Sequence, residues 1–496
     1  MTTRTGSSSV STNGYDSTVS SAGRADVAES GNSSAMERTG RNSVLYLAGA
    51  LMQGLGIFLV QPFALRVLNS DAEWQELFLA VSVIQVGVVL GAAGLPLAIT
   101  KTWFDHNGAA KARSISGFLS VFGAVVGILA AAVYWWLARD SEGTFSFTIA
   151  LLTMGLLATV LAAQALLRAQ GRPVAFVMLS LGSSVAAYGV GLIAMLLVGA
   201  SASVFMVGFG AAVCLTALAA LFVAPPSQPF AVPGAAKEAL LIGLPVLPHT
   251  GSMMLLTQGA AFLLAAVAAE GVSGDYGKVQ IFVLGTVTLL GALNNAWVPA
   301  IMSAKPDERP ERMRSVMKTA SFAGLAIVVV ASGGANVVTH VMAVGREDLI
   351  PVAQIMPLIA LGYLLYLNAS SLLFADKVTW ILAVVTPSVL VISALGALWP
   401  ASNGNLVLMA ATSAVSFFLL GGVYFLVARR RAPGGWPMRT YALCCLAAVG
   451  YVVVLLMVPR DIVSGIITAG VLAVASVCGL ALWHRRRAKR TGKASQ

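Results

Sequence analysis

Charge is scarce in this sequence. Only 10% of its 496 residues are Asp, Glu, Lys or Arg, 58% are hydrophobic, and the mean hydropathy is +0.85. A chain with so little polar material cannot cover a water-soluble globule, so lipid must solvate it. Cysteine is scarce too: Cys214, Cys444, Cys445 and Cys478 stand in apolar runs without metal or disulfide spacing, where a thiol packs as a small hydrophobe. No residue pattern calls for a metal or another cofactor, and no Walker A motif supplies an ATPase. The segments between apolar runs on the charge-poor side are short and hold no catalytic cluster. Glu270 with Asp275, and Asp71 with Glu73, read as solvated loop charges. No catalytic residue is therefore assigned, and the chain is not read as an enzyme.

Long apolar runs are what the sequence has instead. In hydrocarbon every backbone polar group must be paired within the protein, which leaves helices or a closed barrel. The runs show no alternation, and at about 18 to 30 residues they are long enough to cross a core of roughly 30 Å as helices rising 1.5 Å per residue. Fourteen are expected: Val44 to Leu65, Leu77 to Ile99, Ile115 to Leu137, Phe145 to Leu167, Val174 to Val198, Val204 to Val223, Ala239 to Ala268, Val279 to Met302, Ala320 to Met342, Leu349 to Phe374, Val378 to Leu398, Leu406 to Val427, Tyr441 to Val458 and Ile462 to Trp483. None contains Asp, Glu, Lys or Arg. The expected fold class is all-α and polytopic.

The few charges then set orientation. Of the 31 Lys and Arg, 26 fall on the side of the N-terminus and five (Arg66, Arg139, Lys278, Arg346 and Arg460) on the other, while the 20 acids divide evenly. Lys and Arg are retained on the cytoplasmic side, so both termini are expected there, in a cell membrane. The net charge of +11 is thus topogenic; the clusters Arg429-Arg430-Arg431 and Arg485 to Arg490 suit anionic lipid headgroups better than nucleic acid.

Domain organisation follows from composition. Residues 1–41 are rich in Ser, Thr and Gly and are expected to form a disordered cytoplasmic tail, with a start at Met36 as the open alternative. A six-helix bundle over 42–223, a Pro-rich linker over 224–238 and a second six-helix bundle over 239–428 come next. A basic loop over 429–440, two helices over 441–483 and a basic tail over 484–496 complete the chain. An even number of crossings returns the chain to the same face, so the halves can be parallel repeats about a pseudo-two-fold axis. Leu95-Pro96-Leu97-Ala98-Ile99 and Val298-Pro299-Ala300-Ile301 echo one another, as do Glu73-Trp74 and Asp275-Tyr276.

Polar residues inside the runs are the candidates for function. Pro245 and Pro248 in span seven, and Pro351 and Pro357 in span ten, are expected to interrupt their helices and free carbonyls toward a cavity or a packing partner. His249 follows the first pair, and His340 lies near the far surface. Buried amides (Gln53, Gln61, Gln85, Gln164, Gln258, Asn294, Asn295, Gln354 and Asn368) serve either as interhelical glue or as the lining of a path for hydroxylated cargo. Arg66, Arg168 and Arg172, with Lys101 and Lys318 behind them, are candidate phosphate contacts. Arg offers a bidentate fork, although interface anchoring is the alternative for each.

Three stretches resemble one family. GLGIFLVQPFALRVLNSDAEWQELFLAV (Gly54 to Val81), continued by LGAAGLPLAITK (Leu90 to Lys101), resembles the opening of the polysaccharide-type lipid flippases of the multidrug/oligosaccharidyl-lipid/polysaccharide (MOP) exporter superfamily. LLRAQGRP (Leu166 to Pro173) is similar to that family's turn after span four, and GLPVLPHTGSMMLLTQGAAFLLAAV (Gly243 to Val267) to the start of its second bundle. The resemblance covers about residues 42 to 430. It implies a flippase that carries polyprenyl-diphosphate-linked saccharide from the inner to the outer leaflet for cell-envelope polysaccharide synthesis, partnered by polysaccharide polymerase and glycosyltransferases. For such a cargo the residues themselves offer Arg66, Arg168, Arg172, His249, Asn294, Asn295, Gln53 and Gln258 as candidate substrate contacts. Where many relatives carry an Asp-Arg pair in span seven, this chain has Ala260-Ala261. The alternatives are a cation-coupled multidrug exporter of the same superfamily, and a non-transporting scaffold or polymerase in polysaccharide synthesis.

Overall fold

The computed structural model describes residues 44–472, except positions 50, 55, 69, 142, 303, 306, 377 and 379. The expected tails over 1–41 and 484–496 lie outside the described residues. Among the described residues there is no strand. The helices follow the apolar runs: Val44–Val67, Asp71–Ala92, Gly108–Ala138, Thr144–Ala169, Pro173–Leu197 and Ala202–Val223 are spans one to six. Span seven is Ala235–Val267, and span eight is a pair, Val272–Val279 and Ile281–Met302, bent by 41°. Spans nine to thirteen are Arg309–Met342, Glu347–Ala375, Trp380–Ser402, Leu406–Arg431 and Met438–Leu456. The helix Ile462–Leu472 begins where span fourteen is expected, and the remainder of that span lies outside the described residues. Asp461 caps this helix, accepting from the Ser464 amide at 2.9 Å and hydroxyl at 2.8 Å; those bonds hold its carboxyl below the usual range, so the cap persists at neutral pH and is lost on strong acidification.

Helix pairing repeats once along the chain. Span four packs against spans two, three and six, and span six also packs against five; six spans later, span ten packs against eight, nine and twelve, and twelve against eleven. This is the pattern expected of two six-helix units. Lipid tails are as apolar as the side chains, so hydrophobicity alone does not hold such helices together. Close approach at small residues and interhelical hydrogen bonds do. A Cβ on Gly127 would lie 2.9 Å from the Gly155 Cα, which brings spans three and four together. At Gly362 a Cβ would overlap the backbone of Phe417 and Phe418, which joins spans ten and twelve. Span thirteen lies against spans nine and ten, where the Tyr441 hydroxyl donates to the Leu361 carbonyl at 3.1 Å.

The prolines interrupt their helices as expected. Leu244–Val246 and Met356–Leu358 are single 3₁₀ turns within spans seven and ten. A third break, a π-helical turn at Gly182–Ala186 in span five, carries no proline and is not foreseen in the sequence.

Candidate functional site

The two halves meet along spans two, seven and eight, and two seams fix them there. On the face with few cations, the Trp74 indole donates to the Gly274 carbonyl at 2.9 Å, and Gln61 donates to the carbonyls of Gly277 and Lys278, each at 3.2 Å. On the basic face, Gly94 turns with φ of 69° directly against Gly243. A Cβ there would lie 2.7 Å from the Gly243 carbonyl oxygen, so only glycine combines this backbone with this approach.

Between the seams lies a cavity of about 410 Å³. Spans one, two, four, five and six supply most of its wall, including Gln53, Gln85, Ser183, Ser184 and Tyr188; Met254, Leu284 and Thr288 come from spans seven and eight. The expected cavity between the bundles is therefore set mainly in the first half. The π turn explains part of the lining. The extra residue in this turn presents Ser183 and Ser184 together, with Ser184 donating toward the carbonyls of Met52 at 3.0 Å and Gln53 at 2.9 Å on span one. Among the described residues, no Asp, Glu, Lys or Arg lines the cavity.

Its amides are ordered by one another. Gln280 donates to the Gln258 carbonyl oxygen at 2.8 Å, and Gln258 donates to that of Gln85 at 2.5 Å, so a relay of amides crosses from the second half to the first. Gln53 donates to Gln164 at 3.0 Å, and Gln164 to Ser180 at 3.0 Å. Gln53 and Gln85 thus reach the cavity from fixed positions. The bend in span eight places the Gln280 side chain, which also donates to the Thr257 carbonyl at 3.0 Å.

No family model matches the sequence, and no curated protein matches it significantly. Solved structures do match. One is the inward-facing conformation of a multidrug-resistance MATE-family transporter of the MOP superfamily, 16% identical with a TM-score of 0.59 over 79% of this chain and 95% of that one. A second is a MOP superfamily transporter from Pyrococcus furiosus, described by a reverse polarity of its binding pocket that suggests a different function; it is 13% identical with a TM-score of 0.57, over 79% of this chain and 96% of that one. A third is a MATE protein in complex with MaL6, 15% identical with a TM-score of 0.57, over 80% and 96%. The chain has the fold of a MOP-superfamily transporter.

Within this MOP fold the residues singled out from the sequence separate into three places. Gln53 lines the cavity and Gln258 supports it from behind. His249 belongs to neither. It is 5% exposed, its Nδ1 pairs with Thr386 Oγ1 at 2.8 Å and its Nε2 with the Tyr366 hydroxyl at 3.0 Å, and Thr386 pairs with the Tyr424 hydroxyl at 2.7 Å. Both ring nitrogens are occupied inside the second half, and His249 is not among the residues that line the cavity. Asn294 and Asn295 are not in the cavity wall either: Asn294 is half-buried and Asn295 exposed. Asn295, seven residues beyond Thr288 and eleven beyond Leu284, shares the face of those two wall residues but lies about two turns further toward the basic end of the helix, and Asn294 is turned 100° from it. His340 pairs with the Asn336 carbonyl at 2.9 Å, within its own helix.

The arginines do not converge. Arg168 lies over the Phe176 ring, 5.1 Å from its centroid, and Arg172 donates to the Val223 carbonyl at 2.8 Å, both at the basic face; Lys101 and Lys318 are exposed. Arg66 is at the other end of the molecule, donating to the Val341 carbonyl at 3.4 Å beside a polar pocket of about 450 Å³ that Arg66 lines with Lys278 and Arg346. A cluster missed in the sequence lies here. Lys278, 7% exposed, contacts Asp71 at 2.8 Å and Asp275 at 3.0 Å, and Arg346 contacts Asp275 and, at 2.9 Å, Asp348. Hydrogen bonds to Asp348, then to Asp275, hold the Arg346 guanidinium above its ordinary range, so its charge is constant. Asp71 belongs to the first half and the others to the second. The cluster ties the halves together on the cation-poor face. Asp71, a loop charge that looks solvated in the sequence, is here paired across 207 positions of chain.

Proposed function

We propose that this chain is a flippase for a polyprenyl-diphosphate-linked oligosaccharide, moving it from the leaflet at the basic face, taken as cytoplasmic, to the opposite leaflet for cell-envelope polysaccharide synthesis. The supporting observation is the wall of the cavity between the halves: set among apolar side chains such as Ile84, Val88, Leu157 and Phe209 are the amides of Gln53 and Gln85 and the hydroxyls of Ser183, Ser184, Tyr188 and Thr288, with no charged side chain among the described residues. Such a wall offers donors and acceptors to sugar hydroxyls. It provides no carboxylate to bind a cationic drug or a coupling cation. At about 410 Å³ the cavity is the size of an ordinary ligand pocket, so a longer saccharide needs the halves to part further. The prenyl tail stays in lipid, and polysaccharide polymerase and glycosyltransferases are the partners that this reading requires. A second reading, cation-coupled multidrug export, has the character of the structural neighbours in its favour and the uncharged wall against it.

The test is translocation in vesicles reconstituted with the purified chain. A fluorescent polyprenyl-diphosphate oligosaccharide should become accessible to a lectin on the far side only when the protein is present. Transport of a cationic dye without movement of the sugar lipid would replace this reading with the exporter.

A further inference from the structure

Outside the central cavity, the lipid-facing surface of spans five and six carries a trough of about 820 Å³, lined by Arg172, Pro173, Val174, Ala175, Met178 and Gly182 on one side and by Leu215, Thr216, Ala219 and Val223 on the other. Its shape has a local cause. Ala175, Gly182 and Ala219 leave space where larger residues would fill the gap, while Val174, Met178 and Leu215 stand 65%, 61% and 68% exposed and form its apolar rims. A Cβ on Gly182 would lie 2.9 Å from Thr216 Oγ1, so spans five and six close on each other at that level and end the trough.

Two dimensions match a lipid. From Pro173 to Gly182 span five rises about 14 Å, roughly half of a 30 Å hydrocarbon core, so the trough is one leaflet deep. It begins at the basic face, and Arg172 stands exposed at that mouth. Among the described residues one of its guanidinium nitrogens is engaged, donating to the Val223 carbonyl at 2.8 Å across the opening, and the exposed remainder of the group is open to the headgroup layer. An apolar channel one leaflet deep with a fixed cation at headgroup height is complementary to an anionic lipid: the phosphate meets the guanidinium and an acyl chain lies in the trough.

We infer that spans five and six form a binding site for an anionic phospholipid of the basic-face leaflet, with Arg172 as the phosphate contact and the Ala175–Gly182–Ala219 trough as the acyl-chain seat. This site is separate from the transport cavity, which lies on the other side of span five, and it does not depend on the cargo. Its inner end is the start of the π turn whose next residues, Ser183 and Ser184, line that cavity. A lipid seated in the trough therefore supports the turn from outside.

Native mass spectrometry of the full chain, released from detergent with equal amounts of phosphatidylglycerol and phosphatidylcholine, tests the site. Wild type should retain one phosphatidylglycerol and lose phosphatidylcholine. Arg172→Gln and Ala219→Trp, both at exposed positions, should each lower that retention at least fivefold, while Arg172→Lys, which keeps the charge, holds it. Equal retention of the two lipids, or retention unchanged in Arg172→Gln, overturns the site. Loss in Arg172→Gln with none in Ala219→Trp reduces it to a surface headgroup contact and overturns the acyl seat. Retention of added polyprenyl phosphate in preference to phosphatidylglycerol overturns the assignment in favour of the transported lipid.

Discussion

At His249, Thr386, Tyr366 and Tyr424, four polar side chains from spans seven, ten, eleven and twelve satisfy one another within the second half. A neutral imidazole has one donor and one acceptor nitrogen, and hydroxyls on both sides can supply the matching roles. Nothing in this arrangement requires a titrating proton. His249→Phe keeps the ring's bulk but removes a hydrogen-bond partner from Tyr366 and one of two from Thr386, at a cost of about 1–2 kcal/mol. The expected result is a thermal midpoint in detergent lower by a few degrees, with transport retained in membranes. Wild-type stability combined with lost transport would return the histidine to the functional site. At Gly362 the constraint is space: the adjacent backbone of Phe417 and Phe418 leaves no room for any side chain. Gly362→Val must therefore push spans ten and twelve apart, and it is expected to abolish monodisperse folded protein in size-exclusion chromatography. A folded, active valine variant would show that the contact is looser than described.

The cation-poor end of the interface is crossed by the Lys278–Asp71 pair, whose ammonium is 7% exposed and whose carboxylate is 72% exposed, while Asp275 holds the same ammonium from within the second half. Lys278→Met should free the halves at that end, with a population shift of roughly tenfold, about 1.4 kcal/mol. Spin labels at Ser70 and Val344, both exposed beside the polar pocket, should then show longer distances; an unchanged distribution would remove the latch from the transport cycle. The helices themselves were legible in the sequence, because hydrophobic length and the exclusion of charge are local properties of each run. Pro245, Pro248, Pro351 and Pro357 marked two breaks because proline lacks an N–H. The π turn at Gly182–Ala186 was hidden, since one extra residue in a turn leaves the composition Gly-Ser-Ser-Val-Ala unremarkable. Partners distant in sequence were hidden too. The pairing of Asp71 with Lys278, or of His249 with Tyr366, depends on how helices face one another, and composition is silent on that. Gln53 was legible only as a mid-span amide that either glues helices or lines a path, and it does both, bonding Gln164 and lining the cavity. Asn294 and Asn295 met the same criterion and lie deeper along span eight, outside the cavity wall.

For the whole molecule, the basic face and the cation-poor face define a direction, and the uncharged cavity defines what can drive movement along it. Among the described residues no acid or base lines the wall, and His249 is enclosed elsewhere, so on the proposed function the driving force is sought outside the cavity. A diphosphate carries at least one negative charge, and moving it outward across an inside-negative membrane is favourable by about 2.3 kcal/mol per 100 mV. Potential, together with consumption of the product outside, is then sufficient to give the direction. The measurement that tests this most directly is flipping of polyprenyl-diphosphate oligosaccharide in reconstituted vesicles, with membrane potential and pH gradient imposed independently. The account predicts a rate and extent that follow the potential, are indifferent to the pH gradient, and persist in His249→Phe; dependence on the pH gradient alone, abolished in that variant, would contradict it.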